Sequence, residues 1–150
     1  MEPTMEQPHT FDSIWYRAKP ATESSKADPF VRERGRLVVE GDALRFEGRT
    51  ANLVLRNVEA VEYGVYGTMT NPSVQVRYRE GDQVRHAWFT DGRLGGYSGV
   101  FGGTRQLAQA MSHVGPTTFD NEAPRASQRR LAWILVGLVL VFIARALRAG

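Results

Sequence analysis

Apolar and polar residues alternate with a period of two through the middle of this chain, a period of about 3.6 takes over near residue 104, and after residue 130 polar side chains all but vanish. The segment RLVVE (36–40), the pair Gly41-Asp42 and LRFE (44–47) read as a hairpin, because a Gly-Asp pair tolerates the positive φ of a tight turn and both flanks alternate. Residues 48–51 turn again and 53–55 form a short strand. VEAVEYGVY (58–66) is a longer strand in which Gly64 marks a bulge or bend. After a turn at TNPS (70–73), VQVRY (74–78) places Val74, Val76 and Tyr78 on the inner face. Glu80-Gly81-Asp82 then returns the chain into VRHAWF (84–89). Six or seven short antiparallel strands result.

DGRLGGYSGVFGG (91–103) holds six glycines and opens into a segment where Leu107, Ala108, Met111 and Val114 share one helical face. This predicts an amphipathic helix over 104–114, capped by Gly103 or Thr104 and stopped by Gly115-Pro116. A curled sheet leaves one end of its interior open, and a single helix with one apolar face can plug it. The predicted architecture is mainly β: a curled antiparallel sheet or small barrel over 30–115, closed by that helix. Residues 116–130 form a polar linker. Residues 1–29, rich in Pro, Thr, Ser and Glu, form a flexible arm. Within it FDSIWY (11–16) is too apolar to be wholly solvated and reads as an edge strand or plug, or as a motif for a partner.

LAWILVGLVLVFIA (131–144) carries no charge. Its apolar residues Leu131, Trp133, Ile134, Leu135, Val136, Leu138, Val139, Leu140, Val141, Phe142 and Ile143 are expected to form a membrane anchor. The ten Leu, Ile, Val and Phe among them contribute about 3 to 6 kcal/mol toward insertion. Carried on to Leu147 the helix reaches about 26 Å, the thickness of a thin bilayer, with Arg145 reaching back to the headgroups. Arg129, Arg130, Arg145 and Arg148 mark its flanks. A core or oligomer-packing helix is the other reading of so short a run.

Charge sharpens this picture. The chain has 19 basic and 16 acidic residues, but Arg125, Arg129, Arg130, Arg145 and Arg148 lie in a tail without acids, so the remainder is net −2. That balance lacks the footprint of nucleic-acid binding. Cysteine is absent, which excludes disulfides, thiolate metal sites and thiol nucleophiles. The start of the chain carries Glu2 and Glu6 and no apolar signal segment, so residues 1–124 are expected on the cytoplasmic side of a single-pass, tail-anchored protein.

Six or seven strands between Gly35 and Phe89 followed by one helix at 104–114 resemble the pleckstrin-homology-like fold, in its GRAM and bacterial variants. The resemblance covers residues 30–115 and rests on element order. It implies binding of lipid headgroups or protein segments. Family members that bind phosphoinositides carry a Lys and then Arg-x-Arg at the first hairpin. Here Lys26 precedes Arg34-Gly35-Arg36, but falls in the arm rather than on a strand. A solvated strand face is the other reading of those arginines.

GVFGGTR (99–105) gives a second candidate. Backbone N–H groups at a helix start suit an anion, so Arg93, Gly102, Gly103, Thr104 and Arg105 are a candidate headgroup or anion site. The Walker A spacing and its Lys are missing, and tight packing of Leu94, Tyr97, Val100 and Phe101 also accounts for the glycines. His9, His86 and His113 lack metal-ligand spacing and no nucleophile elbow occurs, so neither an enzyme, a metal nor a cofactor is expected. The expected function is a membrane-tethered adaptor or lipid- or protein-binding module, acting on a headgroup or a membrane-protein partner. The alternatives are a structural subunit whose β domain caps an assembly and, last, an enzyme using residues 99–105.

Overall fold

The structure, a computed structural model, describes residues 8–18, 33–64, 72–93, 102–120 and 122–149. Most of the expected arm including Lys26, residues 70 and 71 of the turn expected at 70–73, and the glycine-rich stretch with Leu94, Tyr97, Gly99, Val100 and Phe101 lie outside the described residues. The elements in chain order are β1 (His9–Arg17), β2 (Glu33–Glu40), β3 (Ala43–Gly48), β4 (Asn52–Leu55), β5 (Val58–Gly64), β6 (Ser73–Glu80), β7 (Gln83–Asp91), α1 (Gly103–Met111), β8 (Thr117–Phe119) and α2 (Ala123–Ala149).

The strands form one sheet in the order β4-β3-β2-β1-β7-β6-β5-β8. Two tight hairpins set its register: Glu40 opposes Ala43 across Gly41-Asp42, and Glu80 opposes Gln83 across Gly81-Asp82, with Gly41 at φ 57° and Gly81 at φ 59°. The two-residue connection Arg56-Asn57 rolls it up. Laid flat, β4 and β5 would lie six strand spacings apart, roughly 29 Å at about 4.8 Å each. Three Cα steps from Leu55 to Val58 reach about 11 Å at most, so the sheet curls until the two strands meet at that corner.

Curling does not become closure, and this corrects the expected architecture in three respects. First, no ladder joins β4 to β5 among the described residues, so the sheet is not a barrel. Second, it is mixed, because β8 runs parallel to β5, pairing Val61, Glu62 and Tyr63 with Thr117, Thr118 and Phe119. The Val61 N–H donates to the Pro116 carbonyl at 2.8 Å and the Asp120 N–H to that of Tyr63 at 2.9 Å, so the segment read as linker adds the eighth strand. Third, β1 is an interior strand between β2 and β7, although its segment reads as an edge strand or plug within a flexible arm.

A bulge explains why β1 is hard to read. Phe11 opposes Leu37 and Ile14 opposes Gly35, so one extra residue is inserted, and Ser13 takes φ 62°. The slip turns Phe11, Ile14 and Tyr16 toward the same core despite their uneven spacing. Tyr16 packs 5.2 Å from Phe46 and 5.6 Å from Phe89, ring centre to ring centre, with both phenylalanines fully buried. Leu107, Ala108 and Met111 of α1 complete this core against β5, β6 and β7.

No helix among the described residues is long and apolar enough to cross a membrane. The expected transmembrane helix over 131–147, with its anchor residues from Leu131 and Trp133 to Ile143 and its flanks Arg129, Arg130, Arg145 and Arg148, is corrected accordingly. The reason is length. Fourteen apolar residues between Arg130 and Arg145 rise about 21 Å, against about 30 Å of hydrocarbon. With the span go the tail-anchored single-pass topology, the membrane partner and the membrane-tethered adaptor. The segment is instead the middle of α2, 27 residues long.

Candidate functional site

Three regions concentrate exposed or buried chemistry: the start of α1, the mouth of the curled sheet, and α2.

At the start of α1, Gly102 adopts φ 96°, a left-handed conformation that lets the chain enter the helix without a side-chain cap. Thr104, fully buried, accepts the Asp91 N–H through its hydroxyl at 3.1 Å and so ties α1 to the end of β7. Beside it the hydroxyls of Ser73 and Thr90 meet at 2.9 Å. Arg93 donates from Nε and Nη2 to the Asp91 carboxylate, the shortest contact being 2.6 Å, and its N–H donates to Oδ1 at 3.0 Å. Asp91 thus combines the turn chemistry legible in its sequence with a charged clamp, and it is 2% exposed.

The residues of the anion-site reading are therefore divided between tasks. Arg93 is drawn to Asp91, Gly103 and Thr104 are buried, and the Arg105 guanidinium stands 5.9 Å from the Phe119 ring. Burial pushes the Tyr63 hydroxyl up from its ordinary 10.0, with the Arg105 charge opposing the rise. Arg34 and Arg36, read as a solvated face or part of a headgroup motif, hold β1 to β2: Arg34 donates to the Ser13 hydroxyl and Arg36 to the Asp12 carboxylate, each at 2.9 Å.

No family model and no curated protein matches the chain. Among solved structures it is similar to the Spt16D Pob3N heterodimer, with a TM-score of 0.46 and 13% identity over 78% of this chain and 57% of that one. It is also similar to the hSac2 domain from the human phosphoinositide phosphatase Sac2, with a TM-score of 0.43 and 12% identity over 77% of this chain and 80% of that one. The chain thus spans 57% of the length of the heterodimer chain it matches. These are distant likenesses to other β-sheet folds. The open, mixed sheet, in which β8 runs parallel to β5, corrects the pleckstrin-homology-like, GRAM-like assignment to a mixed β-sheet domain.

The mouth of the curled sheet, away from α1, holds a cleft of about 600 Å³ whose walls include Tyr16, Leu53, Tyr78, Val84, His86 and Trp88. His86 stacks on Trp88 with ring centres 5.8 Å apart. Burial raises the hydroxyls of Tyr16 and Tyr78 above their ordinary 10.0, each helped by a neighbour: Tyr78 for the first and Glu80 for the second. Both phenols are neutral hydrogen-bonding groups at physiological pH. The cleft draws on four strands, so no local spacing announces it. The one available signal was a concentration of aromatic residues at strand ends.

The third region is α2. Every described side chain from Ala132 to Arg148 is exposed, including Trp133 at 75%, Val141 at 64% and Phe142 at 79%.

Proposed function

We infer that the protein is a non-catalytic subunit of a multi-protein assembly, docked through α2 and presenting its β domain as the body that caps the contact. The uncovered apolar stretch of α2 carries this reading. A helix apolar on all sides belongs in an interior, and each large aliphatic or aromatic side chain left in water forgoes roughly 1.5–3 kcal/mol. Pairing with one other helix would cover one stripe, so the fitting environment is a layer of several helices from a partner protein. The arginines at both ends of the apolar stretch, and the absence of acids from 125 to 150, favour acidic residues at the two ends of the receiving groove.

Crosslinking of the full chain in its native extract, read by mass spectrometry, tests this. A stoichiometric protein neighbour joined to residues of α2 is expected, and it should disappear in the double variant Leu138→Glu, Val141→Glu. A monodisperse monomer with no crosslink from α2 would sink the reading.

A further inference from the structure

The cleft at the mouth of the sheet borders an interruption in the strand ladder. β1 covers β7 only from Trp88 to Asp91, where Arg17 opposes Trp88 and Ile14 opposes Asp91. β7 continues beyond this, and Gln83, Val84, Arg85, His86 and Ala87 pair with β6 on one side without a register shift. On their other side no strand is paired with them among the described residues. In an antiparallel strand alternate residues turn N–H and C=O to the same side. Across this stretch, about 16 Å long, the N–H and C=O of Val84 and His86 therefore face the cleft side, in phase with the Gly92 N–H that reaches Ser13. Residues 83–87 themselves hold no bulge and no proline, devices that commonly blunt an exposed edge.

We propose that this notch is a binding site for an extended segment of another polypeptide, which adds a strand along Val84 to Ala87 and sets an apolar side chain against Tyr16, Leu53 and Tyr78. The occupant follows from the chemistry of the walls. A row of alternating backbone donors and acceptors at strand spacing is matched by another extended backbone, which a compact small molecule cannot supply. Tyr16 and Tyr78 offer apolar ring faces with neutral hydroxyls, suited to an aliphatic or aromatic side chain flanked by main-chain carbonyls. At the rim Glu80 and Arg85 pair at 3.3 Å, so both signs are present and a segment of low net charge fits best. The site is separate from α2 and does not depend on its partner.

The test pans a phage-displayed library of random heptapeptides against the full chain, and an enriched heptapeptide is then synthesised. Its binding should slow hydrogen exchange at the amides of Val84 and His86, which face the cleft side, and a version N-methylated at alternate residues should bind at least tenfold more weakly. Val84→Lys, at an exposed position on the wall, should weaken binding at least tenfold with an unchanged melting temperature. Val54→Lys on the outer β4 edge should leave it unaltered. The proposal is overturned by a library that yields no peptide above bare matrix, by an N-methylated peptide that binds equally well, or by protection that maps elsewhere. It is equally overturned by a chain that already dimerises through Val84 to Ala87, with protection lost on dilution, since a second copy would then be the occupant.

Discussion

The Gly92 amide donates to the Ser13 carbonyl at 2.9 Å, extending the β1–β7 ladder past Ile14 and Asp91 at the bulge of β1. Close approach is what makes glycine necessary here: a Cβ at position 92 would run into the Trp15 indole and the Ser13 carbonyl. Gly92→Ala should therefore destabilise the fold by about 1–3 kcal/mol through overpacking. Urea unfolding followed by circular dichroism measures this; an unchanged midpoint would show that the seam yields at no cost.

Asp91 and Arg93 should behave as a unit. Arg93→Ala leaves a 2%-exposed residue without its guanidinium and should cost about 1–3 kcal/mol, toward the low end because the Arg93 side chain is 56% exposed. Adding Asp91→Asn in the Arg93→Ala background removes the charge that Arg93 balances and should cost less than the two single effects combined. A double-mutant cycle by chemical denaturation measures the coupling, and strict additivity would refute it.

Glu33 sets an acid limb. Its carboxylate accepts the Thr50 N–H at 2.6 Å and the Thr50 hydroxyl at 2.7 Å, and these bonds hold its pKa below the ordinary 4.5. A lowered folded-state pKa contributes stability that is fully present above the unfolded value and lost as pH falls through the folded one. The stability difference between the native chain and Glu33→Gln should be largest above about pH 4.5 and shrink below it. Thermal melts from pH 7 down to pH 2 read the trend, and parallel curves for the two proteins would count against it.

Tyr16, Tyr63 and Tyr78 set an alkaline limb. Burial raises all three above 10.0, so their contribution is fully present below pH 10 and lost as pH climbs through the raised values. Absorbance at 295 nm should show three tyrosines ionising late, together with a falling melting temperature. Ionisation of every tyrosine near pH 10 in the intact fold would contradict this.

Much of the fold is legible where local chemistry decides it. Gly41-Asp42 and Gly81-Asp82 announce their turns, and the spacing of Leu107, Ala108 and Met111 announces the buried face of α1. β1 was obscured because Ser13 interrupts its alternation, and β8 because three residues, Thr117, Thr118 and Phe119, are too few to show a period. The apolar stretch of α2 is plain in the sequence. Its apolar run between Arg130 and Arg145 is shorter than a membrane span needs, and no helix among the described residues is long and apolar enough to cross. The cleft was invisible because Tyr16, Leu53, Tyr78 and Trp88 meet only once the sheet has curled.

The pairing of β1 with β7 also fixes an order of events during synthesis. β1 leaves the ribosome well before β7, and Ile14 finds its second neighbour only after Asp91 has been made. Until then Phe11, Ile14 and Tyr16 have one flank uncovered, and closing so long a loop is slow. β1 thus stays sticky until β7 has been made, and chaperone binding to it should end once β7 clears the exit tunnel.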